Sequence, residues 1–179
     1  MQKFTDWLKI ILGFALCLVF RLIPVRPPNI EPLLAMQMPF AKVHGRLVGF
    51  VFAFFSIFLF DLLVGKVGVW TLITAVAYGV LGIWSVSFFK VRKMQRMNYV
   101  KFAVIGTLFF DAVTGLTIGP LFFGQSFVGA LVGQIPFTAL HLIGNTTFAF
   151  FVSPLVYKYL STNRVFERYV NRIVISQNI

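Results

Sequence analysis

Cysteine occurs once in the 179 residues, at Cys17, so neither an intrachain disulfide nor a cysteine metal cluster can form. Acids are scarce as well: five Asp and Glu stand against 16 Lys and Arg, a net charge of +11. Asp61 and Asp111 are too far apart in sequence for a paired-acid diphosphate motif. HExxH, a nucleophile elbow and a glycine-rich nucleotide loop are all missing. The two histidines, His44 and His141, are expected at different depths, and Ser126 and Ser153 have no evident base beside them. These absences argue against an enzyme, against ATP hydrolysis by this chain, and against any cofactor or resident metal.

What the chain has is hydrocarbon. It is 59% hydrophobic with 23 phenylalanines, and its mean hydropathy of +0.88 lies outside the range of soluble domains. Several apolar stretches reach 17–25 residues, enough to cross about 30 Å of lipid as a helix. An all-α integral membrane protein follows, with residues 1–179 as a single domain. In a soluble chain the basic balance would point to nucleic acid. Here the bases flank apolar runs, so anionic lipid headgroups account for them and no nucleic-acid partner is expected. The start, MQKFTDWLKIILGFALCLVFRLIPV, resembles a signal peptide but lacks a small-x-small cleavage site, and is expected to be retained as a first helix.

Hydropathy and breakers predict six spans, at about 7–23, 32–43, 46–65, 67–89, 99–118 and 135–160, with a basic amphipathic tail over 161–179. Pro24, Pro27, Pro28 and Pro32 break the chain after the first span. The second span is short for a crossing and is expected to be shielded by its neighbours. Residues 121–133, rich in glycine, are expected to form a partial or surface helix. Six spans with both termini cytoplasmic place every Lys and Arg inside except Arg21, Arg26 and Lys66. The inverted topology violates the positive-inside bias almost completely.

Polar residues recur on helix faces. Gln134, Thr138, His141 and Asn145 are spaced by four, three and four, an arc of about 60° on one side of the last span. Thr71, Thr74 and Tyr78, with Ser85, share a broad face of the fourth span; Thr107, Asp111 and Thr114 share one of the fifth. Unsatisfied polar groups in lipid are costly, so these faces turn inward. Asp111 is the sharpest signal, because an intramembrane carboxylate is expensive and commonly marks a substrate, ion or proton site. Structural hydrogen bonding between helices is the competing reading for each of these residues. Trp70 and Trp84 read as packing or interface anchors, or as an aromatic wall over a flat ligand. Gly13 and Cys17 form a small-xxx-small pair in the first span, and Gly144 lies beside the polar face of the last.

In order, PPNIEP, LLAMQMPFA, LFDLLVGKVGVWTLITAVAYGVLG, a basic loop, LFFDAVTGLTIGP and GQIPFTALHLIGNTTFAFFVSPLVYKYL resemble the substrate-binding S component of energy-coupling factor (ECF) transporters over roughly residues 7–160. The resemblance implies a six-helix bundle in the cell membrane with a vitamin-sized pocket near the outer face. It implies a lid over residues 24–32, including Arg26, Pro28 and Asn29. Pocket walls would come from Thr71–Tyr78, Asp111–Thr114 and Gln134–Asn145. The implied partners are a small water-soluble nutrient, a transmembrane coupling subunit and two cytoplasmic ATPases. The family's alanine-xxx-alanine docking motif is replaced here by Gly13 and Cys17, which keep small side chains at the same spacing. Asp111, Gln134, His141 and Asn145 are expected to orient the substrate. Two other readings stand beside this one: a structural or assembly protein whose stripe joins helices, and an autonomous proton-coupled carrier using Asp111 and His141.

Overall fold

The breakers noted above set the joints of the computed structural model, which describes the backbone of residues 2–27 and 29–176 and the side chains of 5–27 and 29–162. Seven helices follow in order: α1 Gln2–Leu22, α2 Leu33–His44, α3 Arg46–Leu63, α4 Val69–Phe88, α5 Arg96–Gly115, α6 Ile118–Phe122 and α7 Phe127–Ser176. No strand occurs among the described residues. By length and composition, four segments can cross a membrane: Arg46–Leu63, Val69–Phe88, Arg96–Phe122 and Phe127–Thr162. Their outward positions are apolar; on α4, Leu72, Val76, Val80 and Ile83 form an exposed stripe, as a lipid-facing helix requires.

The centre of the bundle is α2. Its 12 residues span only about 18 Å, and every position from Leu33 to Ala41 is buried. It packs against α3, α4, α5 and α7, with α1 lying on its outer side. Pro39 sits inside this helix and cannot donate to the carbonyl of Ala35. Ser153 of α7 supplies the missing donor, its Oγ lying 2.7 Å from Ala35 O. Gln37 ties two further helices to α2, donating from Nε2 to Gly49 O of α3 (3.0 Å) and Tyr78 O of α4 (2.7 Å). Those helices approach closely because Gly49 and Gly82 face each other; a methyl at either would meet backbone of the other. At the opposite end of α2 the chain reverses through one residue, Gly45, whose φ of +98° a side chain would oppose.

Three expectations are corrected. The last helix does not start at Ile135: α7 begins at Phe127 and runs without a break to Ser176, about 75 Å. Residues 121–133 therefore divide between the end of α6, a turn through Gly124 (φ +63°) and the first turns of α7. The third concerns Gly13 and Cys17, which face inward. A methyl on Gly13 would collide with the Phe40 ring, and Cys17 Sγ lies 3.2 Å from Met36 Sδ in the core. In this conformation both are buried, and their small size lets α1 sit close to α2. The exposed side of α1 carries Trp7, Ile11, Leu12, Leu16 and Val19 instead. Pro28, and the side chains that would give the tail 163–179 its faces, lie outside the described residues.

Candidate substrate-binding site

One end of the bundle gathers the C-terminal ends of α1, α3 and α5 with the N-terminal ends of α2, α4 and α7. The polar faces on α5 and α7 meet there as rungs. Asp111 Oδ1 accepts from His141 Nδ1 at 2.7 Å; one turn deeper, Asn145 Nδ2 donates to Thr107 Oγ1 at 2.8 Å. All four side chains are buried. The other ring nitrogen of His141, Nε2, lies 3.1 Å from the Tyr78 hydroxyl, so one imidazole bridges Asp111 and Tyr78. The same hydroxyl lies 3.5 Å from Glu31 Oε1. Glu31, just before α2, is paired with Arg21 (3.0 Å) and more distantly with Arg26 (3.8 Å). A polar chain thus runs from Arg21 through Glu31, Tyr78 and His141 to Asp111, linking four helices.

In front of this network lies a cavity of about 400 Å³. Its walls include the rings of Trp70, Phe110 and Phe137, and its polar lining comes from Arg21, Asn29, Asp61, Thr74, Thr114 and Gln134. Gln134 lies flat on Gly115, where any larger residue would displace its amide, and its Nε2 donates to the Asp111 carbonyl at 3.4 Å. Thr74 and Thr114 donate to Trp70 O and Phe110 O in their own helices (both 2.8 Å), so their oxygens remain able to accept from a ligand. Asp61 Oδ2 accepts from Thr71 Oγ1 at 2.6 Å, joining the end of α3 to the start of α4.

From the segment between α1 and α2, Asn29 lines the cavity. Arg26 Nε donates to Arg21 O at 3.2 Å and Asn29 Nδ2 reaches Phe137 O at 3.5 Å. Asn29 adopts a φ of +63°. Its carbonyl and the Cα of Ile30 would both lie 3.0 Å from a methyl at Gly144, so the glycine in α7 is what admits this backbone.

The expected site residues therefore separate. Thr74, Thr114, Gln134 and Asn29 line the cavity. Asp111, His141, Asn145, Tyr78 and Thr71 do not line it; His141 bridges Asp111 and Tyr78, Asn145 bonds Thr107 and Thr71 bonds Asp61, while Asp111 Oδ2 and Asn145 Oδ1 are buried without a hydrogen-bond partner. Thr138 is half-buried and does not line this cavity. Arg21 and Glu31 were not singled out as site residues. An acid in a proline-rich loop within a chain of only five acids, near two arginines, was the available signal.

The cavity combines aromatic walls with a few oriented polar groups, and no cluster of metal-binding side chains occurs among the described residues. Together with the apolar helices around it, the arrangement defines a multi-pass membrane protein with a small-molecule cavity at one end. Comparison with known families narrows the class: the profile of the ECF-type riboflavin transporter S component family matches residues 7–119, and the chain belongs to that family. S components are the substrate-binding subunits of vitamin transporters and are not enzymes. No curated protein and no solved structure gave a match. The family match ends before α7, so the contribution of Gln134, Phe137 and His141 rests on the geometry described above.

Proposed function

We propose that this protein captures riboflavin or a closely related flat vitamin with high affinity in the cavity between α4, α5 and α7, entering from the side of residues 24–32. The observation that carries this reading is the combination of Trp70, Phe110 and Phe137 with a polar rim in a space of about 400 Å³, a size that suits a vitamin-sized ligand. Ring faces are buried between the aromatics, and Gln134, Thr74, Thr114 and Asp61 meet the heteroatoms. The buried Asp111–His141–Tyr78–Glu31 chain acts as a scaffold that holds this wall in place. Residues 24–32 serve as the lid, with α1 and α2 completing six membrane helices around the site. Both termini face the cytoplasm, and a transmembrane coupling subunit with two cytoplasmic ATPases energises release.

The experiment is to purify the protein in mild detergent, identify any retained molecule by mass spectrometry, and titrate the stripped protein with riboflavin while following quenching of flavin fluorescence. Saturable binding weakened about tenfold or more by Gln134→Ala or Trp70→Ala, with unchanged melting, supports the assignment. Riboflavin affinity indifferent to both substitutions removes it. The proton-coupled reading draws on the continuous Glu31–Tyr78–His141–Asp111 chain; uptake driven by a pH gradient in vesicles containing this chain alone would favour it.

A further inference from the structure

In the half of the bundle away from the vitamin cavity, α1 and α7 leave part of α2 uncovered. A groove of about 230 Å³ runs between them, walled by Leu12 and Leu16 of α1 and Leu155 of α7 and floored by Phe40 of α2. Its described lining holds one charged group, Lys9, and no carboxylate. Lys9 is only 5% exposed and lies against Tyr159. Its ammonium stands 5.1 Å from the centre of the Tyr159 ring and 3.5 Å from the Tyr159 carbonyl, the long limit of a hydrogen bond. An ammonium carries three donors, and none of the ion pairs among the described residues involves this one. A buried cation so weakly matched is costly beside hydrocarbon unless an anion joins it.

Depth gives the groove its orientation. Tyr159 lies three residues before the end of the apolar segment Phe127–Thr162, and Trp7, two residues before Lys9, is 62% exposed. Aromatics so placed mark the level of the lipid headgroups. From Lys9 to Leu16, α1 then descends about 10 Å into the apolar layer. A helix about 10 Å wide over that length occupies several times the volume of the groove, whereas a single hydrocarbon chain fits it. We propose that the groove binds an anionic phospholipid, its phosphate paired with Lys9 beside Tyr159 and one acyl chain laid over Phe40 between α1 and α7. Basic pockets between membrane helices hold headgroups in this way. The site shares no lining residue with the vitamin cavity and stands whether or not that cavity takes riboflavin.

The full-length protein is extracted in mild detergent from vesicles of phosphatidylcholine and phosphatidylglycerol in equal amounts, and retained lipids are counted by native mass spectrometry. About one phosphatidylglycerol per chain is expected, in roughly tenfold preference to phosphatidylcholine, and Lys9→Gln should bring the two lipids to near equality. Leu155→Trp, at an exposed position on the groove wall, should lower retention of both. Lys101→Gln removes an exposed base on α5 and should change neither. Melting in phosphatidylcholine alone checks the fold of each variant; should Lys9→Gln not fold, the contrast between Leu155→Trp and Lys101→Gln decides. Equal losses with Lys9→Gln and Lys101→Gln, or phosphatidylglycerol retention untouched by Leu155→Trp, mean diffuse attraction to a basic surface and overturn the site. A dimer broken by Leu155→Trp, with no lipid retained, gives the groove to a second copy of the chain and also overturns it.

Discussion

Asp111 and Gln134 illustrate two kinds of polar residue that share one neighbourhood. Asp111 makes its contacts inside the protein, accepting from His141 and, through its backbone carbonyl, from Gln134. Replacing it with alanine leaves the buried His141 Nδ1 without an acceptor, at a cost of about 1–3 kcal/mol. The expected outcome is a lowered melting temperature in detergent, with Asp111→Asn recovering part of it. Thr114→Val works in the opposite sense. It removes an acceptor from the cavity lining and should weaken riboflavin binding several-fold with little change in melting. A binding titration and a thermal melt on the same samples separate the two. Glu31 belongs with Asp111: Glu31→Gln leaves Arg21 and Arg26 facing each other without their carboxylate, and should loosen the segment before α2, read as faster proteolysis between residues 22 and 32.

At the scale of elements, the informative contacts are those that repair a local fault. Pro39 leaves Ala35 O without its helical donor, and Ser153 replaces that donor from another helix. Ser153→Ala should therefore cost about 1–2 kcal/mol on its own. In a Pro39→Ala background, where the helix recovers its own N–H, the cost should nearly vanish; a double-mutant cycle by thermal or denaturant unfolding measures the coupling. Gly144 performs a comparable service for the backbone at Asn29 and Ile30. A methyl there would stand 3.0 Å from the Asn29 carbonyl and the Ile30 Cα, both backbone, so the segment has to move by a few tenths of an ångström. Gly144→Ala should raise the riboflavin dissociation rate several-fold in stopped-flow measurements while leaving helix content unchanged.

The whole molecule is electrically lopsided. Lys42 donates to Phe89 O and Arg46 to Ser87 Oγ at the end away from the cavity, beside the basic run that includes Lys90, Arg92, Lys93 and Arg96. The positive-inside bias predicts a cytoplasmic placement for that end. In intact cells, a cysteine introduced at Lys66 should react with a membrane-impermeant maleimide, whereas one at Lys90 should react only after permeabilisation. The native Cys17 is buried and gives little background. The reverse labelling pattern would invert the molecule and put its cavity on the cytoplasmic side.

Some of this was written in the residues themselves. Periodicity places Gln134, His141 and Asn145 on one helix face and shows that Asp111 turns away from lipid, because a helix of known pitch in hydrocarbon has few other options. Prolines and bases mark the joints and the two ends. Nothing local decides what stands opposite a face, and there the folded protein departs from the expectation. His141 meets Asp111 and Tyr78, while Gln134, Thr114 and Thr74 reach open space. Gly13 and Cys17 look like a docking surface until α2 is seen against them. Glu31 gains its importance only when Arg21, Arg26 and Tyr78, distant in sequence, close around it. A sequence determines the direction in which a side chain leaves its own helix; the packing of the other helices decides whether it finds a partner, a cavity or the membrane.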